Sequence, residues 1–331
     1  MTTRSFIIIL LLALFGVYSF LLYCSTFPGS SYTQSPPNLT KAETHTKDNL
    51  TRHVSTLASS IGARNDEHPK AYKKSATYIL KELKGMGYSP VEHPLKTAGG
   101  TWPIIEVTLT GQSRTTDIVL FAAHYDSCHT TPGADDNASG VAAQLELARL
   151  LHKTTPEHTI RLVFVPNEEP PHFKTKDMGS YAYAKLARAR KDDIKIMYSL
   201  EMLGYFTDEE DSQHYPSVLS TVYPDTGNFI AMVSLLDYRA QTQQSMRIFR
   251  NHAKLASEGF TGPDFVPGID YSDHWSFWVH NYPAIMITDT SFFRTPHYHK
   301  ATDTPDTLDY KRLTHITHAL AKLAVDYDTT K

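Results

Sequence analysis

Apolar residues along this 331-residue chain fall into three patterns, and each predicts a different kind of element. Residues 6–23, FIIILLLALFGVYSFLLY, form an unbroken apolar run, which predicts one helix apolar on every side. Over 50–61, 69–86, 141–151, 181–190 and 313–325 the apolar positions recur at three- and four-residue spacing, predicting amphipathic helices. Short blocks at 91–95, 104–110, 118–123, 160–165, 194–200 and 284–288 are rich in strand formers and predict strands. Helices and strands that alternate at these lengths imply parallel crossovers. The expected fold is therefore α/β, with a mostly parallel, mixed central sheet sandwiched by helices in one domain over residues 43–331.

The polar residues change the picture where the strands stop. The block 118–123 runs into His124 and Asp126, and after a Gly/Pro-containing loop comes the acidic pair Asp135 and Asp136 before a helical run. Block 160–165 runs into Glu168 and Glu169, and block 194–200 runs into Glu201. Open α/β sheets place their ligands outside the carboxyl ends of their strands, so three strands are predicted to deliver these side chains to one rim. Asp136 is expected just ahead of a helix N-terminus, which favours an anion. Adjacent glutamates can divide the work of a metal site, one binding the cation and the other standing over a polarised water as base. Near the C-terminus, His297 and His299 are further candidate ligands, with Asp303 and Asp306 able to orient an imidazole or cap the last helix. His152, His158, His214, His252, His315 and His318 are assigned to surface or core.

Composition excludes more than it adds. Thirty-two basic residues stand against 35 acidic ones with no basic block, so nucleic acid is not an expected partner. Cys24 and Cys128 are the only cysteines and lie far apart in sequence, so no disulfide framework is expected. The 18-residue apolar run would span roughly 27 Å as a helix, close to the hydrocarbon thickness of a bilayer. A retained signal anchor over residues 1–24 is preferred to a cleaved signal peptide, because FLLYCSTFPGSS is a poor cleavage site, or to a lipid-modified Cys24, because Tyr23 is bulky. Arg4 favours a cytoplasmic N-terminus and an extracytoplasmic domain. Residues 25–42, rich in Ser, Thr and Pro, read as a flexible spacer.

The set HYDS at 124–127, GADDNASG at 133–140, NEE at 167–169, SLEMLGY at 199–205, YSDHWSF at 271–277 and YHKATDTPDTLDY at 298–310 resembles the M28 family of zinc metallopeptidases. The resemblance covers about residues 45–331, and six motifs in order make it specific. It implies an exopeptidase, foremost an aminopeptidase acting on peptides, with two zinc ions per chain. Carried over by motif, it implies His124 and Glu201 on one zinc, Glu169 and His299 on the other, and Asp136 bridging them. Glu168 would be the general base and Asp126 the carboxylate that orients His124. His299 is preferred to His297 because Asp303 follows it at the family's spacing. Asp273 and His274 would support the site from behind.

Three features depart from the family pattern. Glu201 stands where many members have Asp, residues 170–177 (PPHFKTKD) lengthen a usually short link and could lie over the site, and Cys128 sits beside the ligands. A small buried residue is the preferred reading of Cys128 over a soft ligand. The aromatics Tyr205, Phe206, Trp275, Phe277, Trp278, Phe292 and Phe293 are assigned mainly to core, part of them to a pocket for the first side chain of a peptide. Two rival readings stand beside the peptidase: a glutaminyl-peptide cyclase, which shares the fold but uses one zinc, and a non-catalytic binding module, ranked last because every ligand position is filled. Oligomeric state is not legible in the sequence.

Overall fold

The structure is a computed structural model, and it describes residues 3–330. Helix α1 (Thr3–Ser25) carries the apolar run, and nearly all its side chains are exposed ahead of Cys24, which is buried. It is long and apolar enough to cross a membrane. The spacer expected to be free is instead seated on the domain. Phe27 is buried, and Arg250 donates to the carbonyls of Phe27 and Gly29, both at 3.1 Å. Ser31 Oγ accepts from the Ser257 amide at 2.8 Å. Proline-rich sequence without an apolar period can still dock through its backbone carbonyls, a signal that hydropathy does not carry.

Beyond it come α2 (Lys41–Val54), α3 (Pro69–Gly85), β1 (Val91–Thr97), β2 (Gly100–Leu109), β3 (Arg114–His124), α4 (Gly140–Leu151), β4 (His158–Val165), α5 (Gly179–Arg190) and β5 (Asp193–Glu201). The remainder is β6 (Phe229–Leu235), α6 (Arg239–His252), β7 (Ala256–Gly262), α7 (His274–Val279), β8 (Ala284–Thr288) and α8 (Tyr310–Asp326). Helix α2 begins on a capping box in which the Thr40 hydroxyl accepts from the Glu43 amide and Glu43 accepts from the Thr40 amide. The Asp309 side chain caps α8 by accepting from the Lys311 and Arg312 amides.

The eight strands form one sheet in the order β1-β2-β4-β3-β5-β8-β6-β7. The centre is parallel, β4 with β3, β3 with β5 and β5 with β8. Antiparallel pairs join β1 to β2, β2 to β4 and β6 to β8. Strand β4 is buried along its whole length and β3 from Ile118 onward, as a sheet covered on both faces requires. One core, built on Leu50, Val54, Leu145, Leu313 and Leu320, lies between the sheet and α2, α4 and α8. A second, with Leu120, Val163, Tyr183 and Phe277, lies on the opposite face under α5 and α7. Each fully buried side chain of these types contributes about 1.5–3 kcal/mol, which fixes the strand ends that carry the polar residues. The stretch 229–279, with β6, α6, β7 and α7, is where the sequence pattern predicted no elements.

Candidate active site

Strands β4, β3, β5 and β8 lie side by side, and each hands a donor to the same rim. His124 is the last residue of β3, Glu201 the last of β5, Glu168 and Glu169 follow β4, and His299 lies on the segment after β8. The backbone turns sharply at three of these points. Asn167, Met202 and His299 all have positive φ, at 59°, 46° and 55°. Non-glycine residues in this region are uncommon and cluster at functional sites. Asn167 is held there from both sides, its amide donating to Tyr72 Oη at 2.7 Å and its Oδ1 accepting from the same hydroxyl at 2.8 Å.

The donors gather into two groups that share one carboxylate. His124 Nε2 lies 3.4 Å from Asp136 Oδ1 and 3.3 Å from Glu201 Oε2. His299 Nε2 lies 3.3 Å from Asp136 Oδ2 and 3.2 Å from Glu169 Oε2. Asp136 thus turns one oxygen to each group. Four donors at about 2.0–2.1 Å around a tetrahedral cation are themselves roughly 3.3–3.4 Å apart, which is the spacing found. His124 Nε2, Asp136 Oδ1 and Glu169 Oε1 are buried and without hydrogen-bond partners, the state expected of atoms whose partner is a cation. The residues present fit zinc.

Other groups hold the donors in place. Asp126 Oδ1 faces His124 Nδ1 at 3.5 Å, and its two oxygens accept from the amides of Glu168 and Glu169 at 3.2 and 3.0 Å. One carboxylate therefore aims both the imidazole and the glutamate pair. Asp303 does the same for the opposite wall, accepting from the Asp135 and Asp136 amides at 2.8 and 3.1 Å. Asp136 lies in an irregular turn ahead of α4, and Asp303 rather than a helix N-terminus fixes its backbone. Ser272 donates to Glu201 Oε2 at 2.7 Å. Fully buried Arg64 donates to the carbonyls of Tyr125, Pro132 and Gly133 at 2.9, 2.6 and 2.7 Å, tying the loops after β3 together. Neither Arg64 nor Ser272 was legible in sequence, because each acts through a contact more than 60 residues away.

The site's charge is unbalanced without a cation. Burial, with Asp136 nearby, pushes the Glu169 carboxyl up to about 7, and His299 and His124 oppose it. Burial raises Glu168 well above its ordinary range, reinforced by Glu201, Glu169 and Asp273 against His124. Burial raises Asp273 to about 7. Burial opposes a proton on His124 and His299, yet the surrounding carboxylates hold both imidazoles well above their usual value. These protons and a metal compete for the same lone pairs. Glu168 accepts no hydrogen bond from the described residues and opens on the cavity.

The remaining expectations divide. His297 lies outside both groups, its Nδ1 3.0 Å from Thr302 Oγ1. Among the described residues none of the six histidines assigned to surface or core joins them. Cys128 does come close: its sulfur, with donor atoms of Glu169 and His299, forms one group within 4.8 Å, although the thiol is buried and raised by that burial. His274 is structural, its Nε2 2.8 Å from the Ile269 carbonyl and its ring edge-on to Trp278. The 170–177 segment does flank the site, since Pro170 and Phe173 line the cavity and His172 is fixed to Asp66 at 2.7 Å.

That cavity, about 390 Å³, opens beside Glu168, Glu169 and Glu201 and extends over β8, β6 and β7. Its walls are apolar, among them Leu219, Phe260, Val266, Ile269, Phe292 and Phe293. Of the aromatics named from the sequence, only the Phe292–Phe293 pair lines it; Phe277 is core. Tyr215, Tyr223 and Tyr271 join the wall from loops with no readable period.

Fold and site together define an enzyme of the metal-assisted hydrolase class, with donors gathered at the carboxyl rim of a parallel sheet and a carboxylate left free beside a cavity. The sequence pattern of Peptidase family M28 matches residues 105–324, and the chain belongs to that family. It is 35% identical over 285 residues to the uncharacterized protein YfbL of Escherichia coli (strain K12), covering 83% of this chain and 87% of that one. It is 27% identical over 312 residues to leucine aminopeptidase 1 of Blastomyces gilchristii, covering 85% and 71%. Among solved structures, BSAP, a zinc aminopeptidase from Bacillus subtilis, superposes with a TM-score of 0.62 at 16% identity, covering 83% of this chain and 94% of that one. Tannerella forsythia glutaminyl cyclase superposes with the same TM-score at 21% identity, covering 85% and 99%.

Proposed function

We propose that the chain is a membrane-anchored, zinc-dependent aminopeptidase that removes the first residue of peptides. The observation that carries this is the division of Asp136 between two donor groups, its oxygens 3.4 Å from His124 and 3.3 Å from His299. His124 and Glu201 would hold one zinc, Glu169 and His299 the other, and Asp136 both. The aminopeptidase relative and the zinc aminopeptidase of like fold support the reading.

When bound, zinc lowers the pKa of a coordinated water from about 15.7 toward roughly 7 and polarises the scissile carbonyl. Glu168 takes the proton of the attacking water at its carboxylate, which burial has already made more basic. It then returns that proton to the leaving amine. Asp126 keeps the imidazole of His124 and the backbone of Glu168 in register throughout. The cavity walls exclude water and receive the first side chain.

A glutaminyl-cyclase reading is favoured by one observation, the fold shared with the Tannerella forsythia enzyme. Incubating the metal-loaded chain with a glutamine-initiated peptide separates the two: released amino acid supports the peptidase, and a cyclised product with about one zinc per chain supports the cyclase. Helix α1 would remain in the membrane, with Arg4 on the cytoplasmic side and the catalytic domain outside the cytoplasm. Protease accessibility in sealed vesicles checks that orientation.

A further inference from the structure

The far end of the cavity holds a charge that the chemistry above does not use. Glu258 on β7 lines the cavity that also contains Glu168, Glu169 and Glu201. Cross-strand register places it in one row with the site: Glu201 pairs with Thr288, Thr288 with Ala231, and Ala231 with Glu258. Residues level with one another across a sheet point to the same face, so Glu201 and Glu258 look into the same space. Three inter-strand steps of about 4.8 Å put their backbones roughly 14 Å apart. A short apolar side chain seated from the metal end stops well before that distance. The four-carbon stem of a lysine or the longer stem of an arginine can lie along the apolar walls and carry its cation to the far end.

Among the described residues nothing else uses this carboxylate fully. Among the described residues it accepts no hydrogen bond, and the nearest cation is Arg250, its Nη2 3.8 Å from Glu258 Oε2. Arg250 is itself taken up by carbonyls, donating to Ser257 O at 2.8 Å and to Phe27 O and Gly29 O at 3.1 Å each. The basic residue lining the cavity is His299, at the metal end. Burial pushes the Glu258 carboxyl above its ordinary range, with Arg250 pulling the other way. A carboxylate in an apolar cavity with a weak counter-ion is a site for a cation.

We propose that Glu258 is a specificity-determining residue that selects peptides beginning with lysine or arginine, their side chain spanning the cavity from the metal donors to β7. This deepens the aminopeptidase reading and rests on it. The test uses the full chain loaded with zinc and compares kcat/KM for lysyl, arginyl and norleucyl anilides, norleucine matching the lysine stem without its charge. The lysyl-to-norleucyl ratio is expected to be at least about tenfold and to collapse toward one in Glu258→Gln. Melting temperatures of both proteins accompany the rates, because a role limited to pairing Arg250 would lower stability and leave the ratio where it was. An unchanged ratio, or a wild-type preference for norleucine, overturns the proposal. If no anilide is cleaved, the aminopeptidase reading fails separately. Calorimetric titration with lysinamide and norleucinamide then decides the Glu258 question, tighter lysinamide binding that Glu258→Gln abolishes being the expected result and equal binding the contrary one.

Discussion

The two ends of one cavity differ in how they are built. At the metal end His124, Glu168, Glu169 and Glu201 stand at or within a few residues of a strand terminus, Asp136 and His299 come from the segments that follow β3 and β8, and two carboxylates, Asp126 and Asp303, hold the backbone amides of Glu168, Glu169, Asp135 and Asp136. At the far end, over β6 and β7, the walls come from three irregular loops, with Tyr215 and Tyr223 from one, Val266 and Tyr271 from another, and Phe292 and Phe293 from a third. The first end is crowded with charge, the second apolar apart from Glu258 and assembled largely from loops outside the sheet. In the proposed reading, chemistry and selectivity are carried by separate parts of the fold.

The comparison breaks most directly at Asp136. Asp136→Ala removes the one side chain shared by both donor groups, and we expect bound metal to fall together with a loss of turnover on the order of 10³-fold or more, read by elemental analysis beside initial rates. Glu168→Gln should separate the two properties: turnover drops about 10²- to 10⁴-fold while metal content stays at the wild-type value. Retained turnover in that variant would remove Glu168 from its role. At the other end, Phe293→Ala should leave metal content alone and lower kcat/KM for large apolar first residues by about tenfold, in keeping with 1–3 kcal/mol per pocket contact. If Phe293→Ala instead released metal, the separation of the two ends would be wrong.

A smaller effect lies outside the cavity, in the packing of α2. Burial, reinforced by Arg52, depresses the fully buried His53 to about 3. The unfolded chain binds its proton near pH 6.5 and the folded one near 3, so stability should fall as pH drops through that window and be unaffected by this group above it. Urea titrations at pH 7.5 and 5 should differ by up to about 2 kcal/mol through this residue, and His53→Gln should reduce the difference.

How much of this was legible in the sequence follows from the same contrast. His124, Glu168, Glu169 and Glu201 were readable because each interrupts or ends an apolar block, and a polar residue at that point needs a reason to be there. His299 needed the family's spacing, since nothing local separates it from His297, which the structure directs to Thr302. Arg64, Ser272 and Glu258 were not readable, because their roles exist only once segments distant in sequence are adjacent. Helix α6 does have one buried face, but few apolar residues, chiefly Met246, Ile248 and Phe249, mark it among polar ones, and β7 (ASEGFTG) breaks its alternation with small residues, so both were passed over. The 26–31 segment shows the opposite failure: its composition predicts freedom, whereas backbone carbonyls paired to Arg250 and Arg239 hold it on the domain.

The central claim is that two cations share Asp136. Zinc bound per chain after equilibrium dialysis, measured for wild type beside Glu201→Ala and His299→Ala, tests it most directly. The account predicts about two ions in the wild type and about one in each variant. A wild type that saturates at one ion, with His299→Ala retaining it and remaining fully active, would contradict it.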